Sequence, residues 1–263
     1  MSDIDRGQVT ASAAEIYDAF FVPALFEQWT DVVLNAAAVR EGDRVLDVGC
    51  GTGALARAAR KRTVVVAAVD PNPGMLEVAR RNEPAIAWKI GTAERLPFVD
   101  GSFDRTVSQF ALMFFVDPTA ALDEIARVTV RDGQIALAVW DRFEHNVGYA
   151  RLASLIEQLF GAPAAQSLRV PFELGDPERL AGMVSHALID PQVTTHRGKA
   201  RFESLDAWLN TEVRGWTLAG EIDDDQFNAL LDLATRELAD LANPQGVSFD
   251  VSALVVSGPP KQR

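Results

Sequence analysis

The feature that most constrains this chain is the stretch over residues 45–53, which reads VLDVGCGTG. An apolar run bounded by glycines is typical of a buried strand that leads directly into a tight turn. Residues 54–62 are rich in alanine and arginine and contain no helix breaker, so the turn is predicted to lead into a helix. A strand, a glycine turn and a helix in that order bring backbone close to a ligand at the carboxyl end of the strand.

Strands and helices alternate from residue 43 to residue 141. Apolar, often β-branched segments predict four more strands, at residues 63–69, 86–90, 105–108 and 134–140. Asn72-Pro73, Asp117-Pro118 and Asp176-Pro177 predict helix starts, because each places a capping side chain before a proline. A turn is predicted at Asp132-Gly133, ahead of the fifth strand. Nearly continuous apolar strands are typical of a parallel sheet covered on both faces, so we expect an α/β, doubly wound fold.

The chain outside this region is predicted to be mostly helical. Two helices, at residues 11–21 and 25–39, precede the glycine turn and are separated by Pro23. Further helices are predicted at residues 178–187, 204–219 and 223–241, and further strands at residues 193–202 and 247–256. The expected architecture is a mainly parallel seven-stranded sheet with helices inserted between its last two strands.

The composition excludes several classes of function. The 263 residues include 25 basic and 37 acidic side chains, and the net charge of -12 argues against a protein that grips nucleic acid or an anionic membrane. A single cysteine excludes a disulfide framework and a cysteine-based zinc site. Residues 1–6 lack the pattern of a secretory signal, and the apolar runs are too short to span a bilayer. We therefore expect a soluble, cytoplasmic protein with no membrane span and no bound metal.

The glycine turn carries a nucleotide-binding pattern. Residues 49–54, GCGTGA, satisfy the fingerprint G-x-G-x-x-G/A, and Asp70 ends the next strand, where an acid can hold ribose hydroxyls. These features alone do not separate a nicotinamide dinucleotide from other adenosine-bearing cofactors. Asp47 does, because a carboxylate two residues before the first glycine would repel a pyrophosphate at close range. It would attract a ligand with an ammonium and a sulfonium group, such as S-adenosylmethionine, and it is also expected to accept backbone N–H groups of the turn.

With these motifs in this order, residues 40–141 resemble the class I S-adenosylmethionine-dependent methyltransferases, in particular the small-molecule enzymes of ubiquinone and menaquinone biosynthesis. Residues 45–53 are similar to the family's first motif, 70–76 to its acidic second motif, 91–98 to its adenine-edge motif and 108–110 to its loop after the fourth strand. The resemblance implies that S-adenosylmethionine, and its product S-adenosylhomocysteine, contact Asp47, Gly49, Gly51, Gly53, Asp70, Pro71, Met75, Thr92, Ala93, Glu94, Ser108 and Gln109.

One position departs from the family pattern. Where the family usually has an aspartate that accepts the adenine amino group, this chain has Thr92. The Thr92 hydroxyl could accept that hydrogen bond, the Ala93 N–H could meet a ring nitrogen, and Glu94 could take over the aspartate's role. The alternatives Thr92 and Glu94 stay open at this point.

The segments outside residues 41–141 are expected to form a cap over the cofactor-binding core of a single domain spanning residues 1–263. The cap segments are residues 1–40, 142–175 and 203–242. The N-terminal segment has aromatic residues at helical spacing, which is typical of a core. Because it precedes the glycine turn, Tyr17 and Trp29 are also candidate ligand contacts. The insertion carries Trp208, Glu212, Arg214 and Trp216 as candidates for the acceptor pocket.

Methyl transfer from an activated donor needs a general base only when the acceptor enters protonated. His145, which follows the fifth predicted strand, is the candidate base. The chain lacks the Asn/Asp-Pro-Pro-aromatic run of amino-directed DNA methyltransferases after strand four, so no nucleic-acid partner is expected.

The sequence thus predicts a methyltransferase that acts on a small, partly apolar organic acceptor. It is compatible with a homodimer. The alternatives are an NAD(P)-dependent oxidoreductase and a non-catalytic regulator that binds S-adenosylmethionine.

Overall fold

The computed structural model describes residues 11–215 and 222–261. Within these residues, eight strands form one sheet in the order β3-β2-β1-β4-β5-β8-β6, with the short β7 paired to β8. The strands are β1 (Arg44–Val48), β2 (Val65–Asp70), β3 (Ala87–Ile90), β4 (Phe103–Gln109), β5 (Thr129–Trp140), β6 (Gln192–Phe202), β7 (Ala242–Asn243) and β8 (Gly246–Gly258).

Strands β1 to β5 run parallel to one another. Strand β8 is antiparallel to both of its neighbours, β5 and β6. Strand β1 lies between β2 and β4, with Asp47 in register with Ala68 on one side and Val107 on the other. The carboxyl ends of β1, β2 and β4 therefore meet at one edge of the sheet, which is where ligands bind in open α/β sheets.

Helices cover both faces of the sheet. They are α1 (Ala11–Ile16), α2 (Thr30–Ala36), α3 (Ala54–Arg60), α4 (Pro73–Asn82), α5 (Pro118–Val128), α6 (Val147–Phe160), α7 (Ala162–Arg169), α8 (Pro177–Val184), α9 (Leu205–Gly215) and α10 (Asp224–Glu237). The predicted capping residues are observed, since the side chains of Asn72, Asp117 and Asp176 accept backbone N–H groups in the first turns of α4, α5 and α8. These caps satisfy N–H groups that a helix start leaves without partners.

The core has one layer on each side of the sheet. Val45 packs with Trp29 and Leu34 on one face, while Leu46 and Val48 pack on the other face with helix residues such as Ile125. Alternate residues of β1 thus enter different clusters, and all four from Val45 to Val48 are buried. The predicted doubly wound α/β fold is confirmed, and the described sheet has eight strands rather than seven because the short β7 pairs with β8.

The N-terminal segment differs from the prediction of two helices separated by Pro23. Helix α1 continues as a π-helix over Tyr17–Phe26, followed by a 3₁₀ turn over Glu27–Trp29 and then α2. Pro23 lies inside the π-helix. Proline has no N–H and its ring collides with the preceding turn of an α-helix, and the wider π turn tolerates both features without ending the helix.

The predicted turn at Asp132-Gly133 is wrong, because these residues lie within β5. The strand begins at Thr129, directly after α5, and its pairing with β4 shifts register between Phe103 and Arg105. A Cβ at Gly133 would lie 2.7 Å from the Asp104 carbonyl oxygen. The glycine therefore serves close packing of two strands at an irregularity rather than a turn.

The inserted helices pack around an aromatic cluster next to the sheet. Trp208 on α9 contacts Tyr149 on α6 and Phe249 on β8, with ring centroids 6.1 and 4.5 Å apart. Helix α9 is described up to Gly215, so Trp216 and the remainder of the helix predicted over residues 204–219 lie outside the described residues. The division into a core and cap segments stays a prediction.

Candidate active site

A cavity of about 460 Å³ lies at the carboxyl edge of the sheet, among the loops that follow β1, β2, β3 and β4; we call it the main cavity. Eleven of the predicted ligand-contact residues line it: Tyr17, Asp47, Gly49, Gly51, Asp70, Pro71, Met75, Thr92, Ala93, Glu94 and Gln109. The sheet topology explains this convergence, because most of these residues follow neighbouring parallel strands.

The glycine turn has the backbone conformation that the sequence predicts for it. Gly51 has φ of +53°, a conformation that side chains disfavour, and a Cβ added there would have the Tyr17 ring as its nearest neighbour, at 3.9 Å. Because this position faces the main cavity, its missing side chain leaves room for a ligand against the backbone.

Asp70 connects two of the loops that line the main cavity. Its Oδ2 accepts the Gly51 N–H at 2.8 Å, and its Oδ1 accepts the Asn72 N–H at 2.8 Å. Burial raises the pKa of Asp70 to about 6, with these two hydrogen bonds acting in the opposite direction. The carboxylate therefore holds the turn after β1 and the turn after β2 in a fixed relation, and its remaining lone pairs can accept hydroxyl groups.

Asp47 is the most unusual group in the site. Its side chain is buried, and neither carboxylate oxygen has a hydrogen-bond partner among the described residues. Burial is the main reason that its pKa is raised to about 8; repulsion from Asp70 adds to this, while the nearby Ala56 N–H opposes it. A buried carboxylate without a partner is costly, and a cationic group placed beside Asp47 would reduce that cost.

Two further polar atoms in the main cavity lack partners in the described part of the chain. They are Oγ1 of Thr52 and Oε1 of Gln109, while Nε2 of Gln109 donates to the Phe26 carbonyl. Gln109 was predicted as a ligand contact, whereas Thr52 was not. Asp47, Thr52 and Gln109 thus each contribute buried oxygen atoms that receive no hydrogen bond from the described residues.

The third loop, residues 91–98, presents Thr92, Ala93 and Glu94 to the main cavity. Glu94 is already engaged, since its Oε1 accepts the N–H groups of Val116 at 2.8 Å and Asp117 at 3.3 Å. This carboxylate therefore ties the loop after β3 to the segment before α5. Thr92 is exposed and is the less constrained of the two candidates for reading an adenine edge.

Four predicted site residues do not line the main cavity. A Cβ at Gly53 would lie 2.3 Å from the Trp88 ring, so this glycine serves packing of the turn. Ser108 is buried and donates to the Val48 carbonyl at 2.7 Å, which links β4 to β1. Trp29 is a core residue at 2% exposure and packs edge-on against Trp140. The fourth is His145.

His145, the predicted base, lies outside the cavity just described, with its side chain 57% exposed. Its Nδ1 lies 2.9 Å from Oδ2 of Asp141, which also accepts the Ser252 hydroxyl at 2.7 Å. These contacts, with the Arg142 N–H, lower the pKa of Asp141 despite its burial. The position of His145 after β5 indicated the correct edge of the sheet, but the side chain turns to a structural carboxylate.

Aromatic residues form a further part of the site, and two of them, Phe114 and Phe115, were not predicted from the sequence. Phe26, Phe110, Phe114 and Phe115 line the main cavity. Phe110 has a positive φ of +54° and stacks on Trp140 with ring centroids 3.9 Å apart. The apolar run over residues 110–116 is indistinguishable from a core segment in the sequence, because only the turn at Phe110 directs its rings to the cavity.

A second, smaller space of about 50 Å³ adjoins the main cavity, and we call it the aromatic cavity. The two spaces share the rings of Tyr17, Phe26, Phe110 and Phe114. The remaining wall comes largely from the inserted helices and the segments that join them, and includes Tyr149, Phe172 and the carboxyl group of Glu212. This arrangement places an apolar chamber directly beside the polar one.

In the described residues, no cluster of three or more potential metal-ligating side chains is present. Over the same residues, no helix is both long and apolar enough to cross a membrane.

The fold and the site together define a class. A parallel sheet whose first strand leads into a glycine turn, with an acid at the end of the second strand, is the arrangement of the class I S-adenosylmethionine-dependent methyltransferases. A family model described as a methyltransferase domain matches residues 46–137, and this segment of the chain is similar to that family. The resemblance predicted from the sequence is confirmed for this segment.

Curated relatives that match part of this chain are named as methyltransferases. A demethylmenaquinone methyltransferase of Paenarthrobacter aurescens is 38% identical over 120 residues, which cover 46% of this chain and 46% of that protein. A malonyl-[acyl-carrier protein] O-methyltransferase of Serratia marcescens is 37% identical over 138 residues, 51% of this chain and 53% of that protein. The chain thus spans about half the length of these relatives.

Solved structures share the fold over a larger part of the chain. The YcgJ protein of Bacillus subtilis has a TM-score of 0.62 at 24% identity, covering 90% of this chain and 99% of that one. A phosphoethanolamine N-methyltransferase of Haemonchus contortus, solved with phosphomonomethylethanolamine and S-adenosylhomocysteine, has a TM-score of 0.61 at 17% identity, covering 98% of this chain and 59% of that one. These likenesses agree with the Rossmann-like architecture.

Proposed function

We propose that this chain is an S-adenosylmethionine-dependent methyltransferase that acts on a small, partly apolar organic acceptor. The observation that carries the proposal is the unpartnered, buried carboxylate of Asp47 beside the glycine turn. A pyrophosphate would meet repulsion there, whereas a cofactor whose amino-acid end carries an ammonium group would supply the missing positive charge. The methyltransferase family match over residues 46–137 supports the same conclusion.

The residues of the main cavity fit this cofactor. Asp47, with the Thr52 hydroxyl and the backbone at Gly51, would hold the amino-acid end. Asp70 would accept the ribose hydroxyls, Pro71 and Met75 would pack on the adenine, and Thr92 and Ala93 would meet its edge. Glu94 would contribute by holding the loop, since its Oε1 already accepts two backbone N–H groups.

The bound cofactor supplies an activated methyl group, so the protein's task is to bind, orient and keep water out. The rings of Phe26, Phe110 and Phe114 line both the main cavity and the aromatic cavity, and we place the acceptor where the two cavities adjoin. Gln109 is held by the Phe26 carbonyl, and its free Oε1 can accept a hydrogen bond in the main cavity. No step is assigned to His145, because its imidazole is bound to Asp141 away from these cavities.

The acceptor is proposed to be a small molecule, free or linked to a carrier. The apolar wall of the aromatic cavity supports a partly apolar acceptor, and the relatives named above act on a menaquinone precursor or a carrier-linked malonyl group. The net charge of -12 supports a partner other than nucleic acid. A cytoplasmic location and a homodimer stay predictions, the latter testable by sedimentation.

Isothermal titration calorimetry with S-adenosylhomocysteine and with NADH tests the proposal. We expect binding of S-adenosylhomocysteine and none of NADH, followed by S-adenosylhomocysteine release from S-adenosylmethionine in the presence of a panel of small acceptors. Binding of NADH without S-adenosylhomocysteine would identify an oxidoreductase. Cofactor binding without turnover on any acceptor of a broad panel would identify a regulator.

A further inference from the structure

Among the described residues, the aromatic cavity is lined by one carboxyl group, which the cofactor site does not use. Glu212 on α9 lies in its wall and is 2% exposed. Its Oε1 accepts the Tyr149 hydroxyl at 2.7 Å and the Trp208 indole N–H at 3.2 Å. Two donors on one oxygen fix the orientation of the carboxyl group and favour its ionised form, while Oε2 receives no hydrogen bond from the described residues.

Within the described residues, the wall of the aromatic cavity holds no positive charge beside this carboxyl group. Among the residues that the structure describes, no lysine, arginine or histidine side chain lines the aromatic cavity. Burial raises the pKa of Glu212 to about 7, with the two hydrogen bonds acting against it. A buried carboxylate without a cation is destabilising, and an occupant that supplies the positive charge would offset this cost.

The other walls of the cavity select for the same kind of occupant. Rings of Phe21, Phe26, Trp140, Tyr149 and Phe172 surround the space. Aromatic faces attract cations, and an aromatic enclosure with one carboxylate is a recognised combination for ammonium groups. An anionic or carboxylate-bearing group would instead be repelled by Glu212, and a neutral carbonyl would find no cation to polarise it.

We propose that Glu212 anchors the acceptor by binding the cationic nitrogen of a small aromatic or alkyl amine, whose ammonium end enters the aromatic cavity while the rest of the molecule lies in the adjoining main cavity. This inference rests on the proposed function, since it takes the place where the two cavities adjoin as the acceptor's place beside the cofactor. Tyr149 and Trp208 act as positioning residues, because they hold the carboxylate and do not compete for Oε2.

The test measures amine binding to the protein saturated with S-adenosylhomocysteine. Benzylamine and 2-phenylethylamine are titrated by calorimetry at pH 7.5, each beside the alcohol of the same skeleton, which has similar size and no charge. In the unmodified protein we expect each amine to bind at least about tenfold more tightly than its alcohol, as for a charge-assisted hydrogen bond. Equal affinities, or no amine binding, would overturn the proposal.

Glu212→Gln keeps the size of the side chain and removes its charge. We expect this variant to lose the preference for amines, to bind the alcohols within about threefold of the unmodified protein and to keep its affinity for S-adenosylhomocysteine. A preserved amine preference would contradict the assignment. Tyr149→Phe, which removes one positioning hydrogen bond and keeps the charge, provides a second variant, with an expected intermediate loss of preference. Failure of the unmodified protein to bind S-adenosylhomocysteine would instead count against the proposed function.

Discussion

Asp47 illustrates how a single residue trades stability for binding. Its carboxylate is buried without a hydrogen-bond partner in the described residues, and burial raises its pKa to about 8. When a carboxyl group has a higher pKa in the folded chain than in the unfolded chain, the folded protein becomes less stable as the pH rises. The cost begins near the ordinary pKa of 3.8 and is fully present above about pH 8.

Asp47→Asn is therefore expected to stabilise the ligand-free protein and to weaken cofactor binding. The gain in melting temperature should be small at pH 4.5 and grow to several degrees at pH 8.5, since the avoided cost is on the order of a few kcal/mol. The affinity for S-adenosylhomocysteine should fall at least about tenfold, from the loss of a charged partner. Thermal melts across pH and calorimetry measure the two effects.

Asp104 provides the matched control for this substitution. Its carboxylate pairs with Arg44 at 2.9 Å, and the hydrogen bond from Arg44 lowers its pKa. Asp104→Asn should therefore lower stability at neutral pH and leave the affinity for S-adenosylhomocysteine unchanged. A loss of stability in Asp47→Asn at pH 8.5 would show that the carboxylate has a partner within the protein.

At the residue scale, Asp47 and Asp70 lie where the sequence predicts, but one of the contacts predicted for Asp47 belongs to Asp70. Asp47 is predicted to accept backbone N–H groups of the glycine turn, yet Gly51 donates to Asp70. The spacing of motifs along the chain indicates which loops meet, because parallel strands end at one edge. It does not indicate which of two nearby carboxylates reaches a given N–H group, since that depends on the twist of the sheet.

At the scale of elements, Gly53 shows how the turn is joined to α3. It precedes the helix with φ of +87°, and a Cβ there would collide with Trp88 at 2.3 Å. Gly182, by contrast, lies within α8, and a Cβ added there would have no other atom within 4 Å. The two glycines offer the same substitution in opposite environments.

We expect Gly53→Ala to destabilise the protein by more than about 1 kcal/mol, because the left-handed backbone and the Trp88 ring both oppose a side chain. Gly182→Ala should stabilise it by about 0.5–1 kcal/mol, as expected for a helix interior. Chemical denaturation of both variants measures the difference. Equal effects would mean that Trp88 moves aside and the turn relaxes.

Elements with local signals were predicted well, and those set by tertiary contacts were not. The helices after Asn72, Asp117 and Asp176 begin where their capping side chains predict, and Asp223, the first residue of the helix predicted over 223–241, forms a full capping box with Gln226. Local chemistry at a helix start needs no information from the rest of the fold. The π-helix around Pro23 and the early start of β5 depend instead on neighbouring elements.

Over the whole molecule, three buried carboxyl groups dominate the dependence of stability on pH. Burial raises the pKa values of Asp47, Asp70 and Glu212 to about 8, 6 and 7. Each folded-state value lies above its ordinary value, so each group's contribution to stability is lost as the pH rises towards it. Paired surface acids such as Asp104 and Glu124 have lowered pKa values. The stability that they add is already fully present once the pH is above their ordinary pKa values of 3.8 and 4.5, so it does not change between pH 5 and pH 8.5.

The ligand-free protein is therefore expected to melt at least about 5 °C higher at pH 5 than at pH 8.5, the direction also favoured by its net negative charge. Saturating S-adenosylhomocysteine should raise the melting temperature more at pH 8.5 than at pH 5, because the ionised carboxylate of Asp47 receives its cationic partner. Scanning calorimetry with and without the ligand measures both trends. A melting temperature that rises from pH 5 to pH 8.5 without ligand would contradict the burial of these charges.

The overall architecture was accessible from the sequence, whereas the shape of the acceptor side was not. Alternating strands and helices over residues 43–141 predict the doubly wound sheet, since each βαβ unit is built from neighbours along the chain. The aromatic cavity is assembled from segments far apart in sequence, such as Tyr17, Phe110 and Glu212. No spacing rule relates these positions, so their meeting is visible only in the folded chain.

The two hydrogen bonds of Asp70 also constrain how such a site can be exchanged between proteins. One carboxylate accepts N–H groups from the turn after β1 and from the turn after β2, so the two turns cannot be exchanged separately without losing a hydrogen bond. A chimera that imports only the turn after β1 would place a foreign backbone against the Asp70 carboxylate of the recipient protein. Grafts that carry residues 45–76 as one unit keep the carboxylate and both of its donors together, so we expect this segment to be transferred between proteins as a whole.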